Sequence, residues 1–342
     1  MSSIKNPVIS LSRILGMVMI ILCHIIHYYT FIPGSAFLGQ VFGSGVQLFF
    51  FISGYLYGGK TVKSFCKWYA QRFWIVSFPT ITLSVLTMII LLFLGSPISV
   101  NTFAVYALDL EGVLFLNSRI TAFFSEIPTL GHLWFTTIIM LCYSTIPLLQ
   151  KVTPSSFTKP PRTLIALFLS IGTVLCFVTF SFLNITYFFV FIAGYLSGKL
   201  CLLDKIRFKN FSTYTLIVVL SIVARLALRH YFDNTVFYVF YAEISRFVIG
   251  TWLTVLFSYL HYKVPHTVTT VANWRATKLL DKYSFYIYLT HGLFYIGPFN
   301  IYDSLPLYLA TIVFCICTVL TAVALKWFCD LIATPFILQL KS

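Results

Sequence analysis

Charge is what this chain has least of. Asp, Glu, Lys and Arg together make up 9% of its 342 residues, with only 9 acidic residues against 23 basic ones. A soluble domain of this length does not keep its surface hydrated on so little charge. The eight cysteines show no paired spacing flanked by His or acidic residues. Cys315 and Cys317, two apart on a helix, leave it in different directions, which argues against a metal site. Their scatter through apolar runs argues equally against a disulfide framework. No small-residue cleavage motif precedes His24, so the first apolar run is expected to be a retained span and not a removed signal peptide. The sequence also lacks the ~10-residue polar/apolar alternation of a membrane barrel strand. It has no clear internal repeat or low-complexity tract, and no soluble appendage longer than about residues 96–129.

Apolar surface is what the chain has in excess. Hydrophobic residues are 59% of the total, with 36 Phe and 21 Tyr. Runs of roughly 18 residues or more recur from end to end, each long enough as a helix to cross a ~30 Å hydrocarbon core. The expected fold class is an all-α integral membrane protein. About ten transmembrane helices are expected, centred near residues 20, 49, 84, 141, 172, 192, 222, 251, 291 and 316, forming a single domain over 1–342.

The basic residues fall in every second connection: Lys60, Lys63, Lys67 and Arg72; Lys151, Lys159 and Arg162; Lys199, Lys205, Arg207 and Lys209; Lys263, Arg275, Lys278 and Lys282. The alternate connections hold almost none; the long one sets Arg119 against Asp109, Glu111 and Glu126. This pattern places both termini and the basic loops in the cytoplasm. The net charge of +14 is therefore read as topology and contact with anionic lipids. Nucleic acid is not an expected partner. "TPSSFTKPPR" (153–162) reads as a Pro-rich cytoplasmic turn.

Ionisable groups inside apolar helices are costly and mark candidate sites. The first helix, "SRILGMVMIILCHIIHYYTF", carries Arg13, His24 and His27. Arg13 and His24 are eleven apart, which on a helix is ~1,100°, or three turns plus about 20°, so they share a face at a separation of ~16 Å. Snorkelling of Arg13 and a plain buried hydrogen bond for His24 are the structural alternatives. His291 reaches a similar depth in "YSFYIYLTHGLF". Arg225 and Arg229 stand four apart on the seventh helix, and in "YAEISRF" Glu243 and Arg246 stand on one face, where they either serve a substrate or neutralise each other or those arginines. His132 and Trp134 lie in "GHLWF", with an interfacial anchor as the alternative for Trp134. His230, His261 and His266 lie near loops and read as solvated. A mid-depth histidine with a cation below it matches what acyl transfer needs: a base near neutral pKa, and positive charge for an anionic donor.

Four stretches in series, Arg13-x10-His24, "GVQLFFFISGYLYG", "GHLWFTTIIMLCYSTIP" and "SFYIYLTH", resemble the membrane-bound acyltransferase 3 family over nearly the whole chain. Its members commonly transfer acetyl or other short acyl groups from acyl-CoA to hydroxyls of cell-surface glycans. The resemblance implies His24 as catalytic base with Arg13 as its essential partner. Ser53, Gly54 and Tyr55 match the family's Ser-Gly-aromatic motif, and Arg72 matches a basic residue preceding a proline, here Pro79. His132 and Trp134 fit the His-Leu-Trp-Phe form of the fourth helix. Gln47 stands where many members have Asp.

The function that this resemblance implies is transfer of an acyl group, acetyl first, from acyl-CoA to a hydroxyl of a cell-surface or lipid-linked glycan. The expected catalytic residues are His24 and Arg13. Ser53, Tyr55, Arg72, His132, Trp134, His291, Glu243 and Arg246 are expected around the substrate. Lys60, Lys63, Lys67 and Arg72 are expected to hold the CoA phosphates, with no metal. The expected location is multi-pass in a bacterial cytoplasmic membrane. The competing class is a transporter or flippase for an anionic or glycolipid substrate; its usual sign, corresponding Gly/Pro-broken helices in two halves, is not seen in the sequence.

Overall fold

A computed structural model of the chain describes residues 6–113, 125–153, 162–180, 183–233 and 235–341. Arg119, Lys159 and the Pro-rich turn over 154–161 lie outside the described residues. Among these residues the secondary structure is helical, with no strand.

Among the described residues, seven stretches are long and apolar enough to cross a membrane: Pro7–Tyr28, Ser35–Gly58, Phe65–Phe93, Pro128–Val152, Phe208–Phe232, Val236–Lys263 and Leu307–Leu340. All ten expected positions are helical. The three near 172, 192 and 291 fall on α9 (Arg162–Thr179), α10 (Thr186–Lys199) and the last residue of α14 (Arg275–His291). The apolar part of α9 is Leu167–Thr179, α10 has 14 residues and α14 has 17. Among the described residues these three are not among the seven, so seven of the ten expected spans are shown. The chain is a multi-pass membrane protein, and its outer faces read accordingly. Leu216, Val219, Leu220 and Val223 on α11 (Phe208–Phe232) are exposed, as are Ile312, Ile316 and Leu320 on α15 (Leu307–Lys341). A face so apolar suits lipid, not water.

The chain divides into two compact units, residues 1–61 with 151–282, and 62–150 with 283–342. In the first, α1 (Pro7–Ile25) starts cleanly because Asn6 accepts from the Val8 N–H at 3.0 Å and Pro7 occupies the first turn. α2 (Ser35–Phe42) follows, then α3 (Ser44–Gly58), which is the hub. A Cβ on Gly54 or Gly58 would collide with the carbonyls of Phe191 or Tyr195 on α10, and one on Gly194 or Gly198 with those of Phe51 or Tyr55 on α3. Two small-xxx-small faces thus lie backbone to backbone, which is how helices associate where lipid supplies no hydrophobic drive. The two helices carry nearly the same words, "ISGYLYG" and "IAGYLSG". Gly45 meets Gly16 of α1 in the same way, and Ile9, Met19, Leu48 and Ile52 pack there with Leu253 of α12 (Val236–Lys263). The short α13 (Pro265–Asn273) follows α12.

In the second unit α4 (Phe65–Ile75) gives way to α5 (Ser77–Phe93) at Val76. Pro79 has no N–H to offer the Ile75 carbonyl and crowds it, which places the break there. α6 (Val100–Ala107) is capped by Ser99, and α7 (Trp134–Ser144) leads to α8 (Ile146–Val152). α15 runs along α4 and α5, with Trp74 stacked on Phe336 at 4.5 Å and Gln71 donating to the Leu340 carbonyl at 3.1 Å.

Candidate active site

Arg13 and His24 lie in one uninterrupted helix, so the geometry of the x10 spacing holds and both leave the same face of α1. Arg13 Nη2 reaches both carboxylate oxygens of Asp281 on α14, at 3.0 and 3.3 Å, and Ser10 donates to the same carboxylate at 3.3 Å. Asp281 is buried, with 4% of its side chain exposed against 31% for Arg13. A buried carboxylate needs such a partner. Arg13 is thereby fixed as well as charged, and simple snorkelling does not describe it. His24 stands half-buried in the last turn of α1. His27 is exposed beyond it, its ring against the backbone of Gly39 on α2.

The first unit also holds a buried polar layer. Gln47 donates its amide to Glu243 at 2.7 Å, and Arg246 donates to the other oxygen of the same carboxylate. Glu243 and Arg246 therefore pair, as their one-face spacing allowed. Arg246 also reaches the Gln40 carbonyl at 3.3 Å, while the Gln40 side chain accepts from Arg225 at 2.9 Å and from the Tyr238 hydroxyl at 3.1 Å. Gly43 lies between Arg246 and Cys23, the neighbour of His24. Gln47 is only 1% exposed, and an Asp there would face the Glu243 carboxylate at close range. The amide removes that repulsion, which accounts for Gln at this position.

Ser53 and Tyr55 flank Gly54 on α3 and are both half-buried, while Gly54 itself is a close-packing residue. Lys60 is exposed just past α3, near the Tyr57 ring at 5.9 Å.

In the second unit Lys63 and Lys67 are exposed, and Arg72 lies half-buried over Trp68 at 6.0 Å. His132 and His291, separate motifs in the sequence, come together. Their rings meet edge to face at 4.7 Å, and His132 Nε2 bonds to the Leu289 carbonyl at 2.7 Å. Tyr288 donates to the His132 carbonyl, and His291 stacks on Tyr295 at 5.8 Å. Gly292 is needed there, because a Cβ would enter the His132 ring. Trp134 is half-buried at the start of α7.

Four residues take a role here that sequence reasoning does not assign: Asp281 and Gln40 carry no signal of it, and Arg225 and Asp109 are visible only as charges. Asp281, Gln40 and the fully buried Arg225 are polar residues whose partners lie far away in sequence. The fourth, Asp109, follows α6 with a positive φ of 54° and accepts from Thr136 at 2.8 Å and Thr137 at 3.4 Å. Burial pushes its carboxyl up to about 7 despite those hydroxyls and Ser77, and the nearby buried Glu111 is raised too, by burial first and by Asp109 second. The only sequence signal for this pair was acidity in a chain almost without it.

A sequence-family model of the acyltransferase 3 type, described as "Acyltransferase domain", matches residues 6–327, nearly the entire chain. No curated protein and no solved structure matches.

Proposed function

The chain belongs to the acyltransferase 3 family, and from that premise we propose that it moves an acetyl group from acetyl-CoA to a hydroxyl of a cell-surface or lipid-linked glycan. The observation that carries this reading is Arg13, fixed by Asp281 and Ser10 on the face of α1 that bears His24. His24, neutral, takes the proton of the acceptor hydroxyl while its oxygen attacks the thioester carbonyl. The carbon–sulfur bond breaks, and the CoA thiolate leaves with the proton held on the imidazolium. Arg13, about three turns below His24 on the same face, keeps a positive charge that favours and orients the anionic donor.

The exposed Lys60, Lys63 and Lys67, with Arg72, attract the CoA phosphates. Ser53, Tyr55, Glu243, Arg246, His132, Trp134 and His291 are the groups that orient acceptor and donor. In this reading residues 1–342 are a single acyltransferase domain, in a bacterial cytoplasmic membrane with both termini inside.

The test is direct. Membranes bearing the protein, given acetyl-CoA labelled in the acetyl group, should pass label to a base-labile ester on glycan. Membranes without the protein should not. Equal labelling in the two would refute the proposal.

A further inference from the structure

The first compact unit holds a cavity of about 410 Å³ that only Tyr55, among the residues assigned above, helps to line. Its walls come from the start of α1, the end of α3, the stretch leading into α11 and the end of α12. Those four helix ends therefore lie at one end of the unit. They are also the ends that the alternation of basic residues assigns to the cytoplasm.

The lining has a definite chemistry. Arg207 stands over the ring of Tyr262 at 4.4 Å, making one surface that is flat, aromatic and cationic. Tyr55 and His261 add two more rings, and Nδ1 of His261 is buried without a hydrogen-bond partner among the described residues. His261 is thus part of a cavity wall and not the solvated loop residue that its sequence position suggested. The α1 N-terminus, with the positive end of its dipole, opens onto the same space. Asp204 is the one acidic group on the wall. It would repel a bare phosphate, but it accepts from the amino group of a purine or the hydroxyl of a ribose.

A ligand that satisfies this set has a flat ring to lie on tyrosine, phosphates for arginine, and hydrogen-bond donors for a carboxylate. A phospholipid headgroup offers the phosphate and at most small donors, and no flat ring to lie on the tyrosines. We propose that this cavity holds the nucleotide end of the acyl-CoA donor, with the purine against Tyr262 and the other rings and phosphate on Arg207. The inference rests on the proposed acetyl-CoA donor. It also accounts for the depth of the reacting group. From Val8, which lines the cavity, to His24 is sixteen residues of α1. That is ~24 Å along the helix axis, so the acyl group must be carried inward on a long arm, as it is in acyl-CoA.

The test separates site from activity. Adenosine 3′,5′-bisphosphate, the nucleotide fragment alone, is titrated by calorimetry into the purified full-length protein in phosphatidylcholine nanodiscs. Wild-type protein should bind it saturably. Arg207→Gln and Tyr262→Leu, both at exposed positions, should each weaken binding about tenfold with unchanged thermal melting. Equal binding in wild type and both variants overturns the site. Failure of wild type to bind the bisphosphate, with Arg207-dependent capture of phosphatidylglycerol, overturns it in favour of a lipid site. If the binding pattern holds but no acetyl is transferred, the cavity stands and the proposed function fails. If transfer proceeds with normal donor KM in both variants, the function stands and the cavity assignment fails.

Discussion

Arg13 meets Asp281 through a single nitrogen, Nη2, which reaches both carboxylate oxygens. That geometry decides what a substitution does. Lysine can offer one nitrogen to the same carboxylate, so Arg13→Lys should keep most of the pairing, whereas Arg13→Ala leaves a buried acid with one less partner. A double-mutant cycle with Asp281→Ala, read by thermal melting and by acetyl transfer, should show a coupling of about 1–3 kcal/mol. Additive losses would mean that the two residues act independently. Asp109 supplies a second residue-scale prediction. Its carboxyl is raised from near 4 to about 7, so between those values the folded protein binds more proton than the unfolded chain. Stability must then fall as pH rises from 4 to 7, and the raised Glu111 acts in the same direction. The melting temperature should be higher at pH 5 than at pH 8, and Asp109→Asn should flatten that slope. A melting temperature that rises toward pH 8, with no effect of the substitution, would contradict the assignment.

Among the elements, α3 carries the strictest constraint, because its glycines let the α10 backbone approach directly. A methyl group at Gly54 or Gly194 meets a carbonyl oxygen of the partner helix, which cannot yield as a side-chain tip can. Gly54→Ala and Gly194→Ala should each cost about 1–3 kcal/mol through overpacking, seen as reduced yield of monodisperse protein and a lower melting temperature. Gly59→Ala, where a Cβ has open space, is the control and should be near neutral. Helix positions were legible in the sequence because each is an apolar run. The pairing of α3 with α10 was not, since "ISGYLYG" and "IAGYLSG" lie 140 residues apart and small residues have many uses. Likewise the one-face placement of Arg13 with His24, and of Glu243 with Arg246, followed from helical spacing alone. The partners Asp281 and Gln47 required the fold, because no periodicity links separate helices.

For the whole molecule, apolar composition specified a multi-pass helical protein, and the family match over residues 6–327 bears out the resemblance that the motifs carried. The division into two compact units was not legible, since each is assembled from two distant stretches of chain. Sidedness is open to a clean test. In a cysteine-free background, cysteines replacing Lys205 and Asp303, both exposed, should differ in reaching an impermeant maleimide on intact cells. Position 303 should label and position 205 should not. The reverse would put the cavity beside Arg207 on the outer face, away from any CoA.

Whether His24 is the base of an acyl transfer is decided by the rate of a protein that lacks its imidazole. Purified His24→Ala protein, matched to wild type in melting temperature and elution, is given labelled acetyl-CoA and the acceptor glycan, and the initial rate of ester formation is followed. The expected result is a loss of at least about 100-fold in kcat, the lower range for removing a positioned general base, with bisphosphate binding unchanged. A folded His24→Ala protein that acetylates at near the wild-type rate would contradict it.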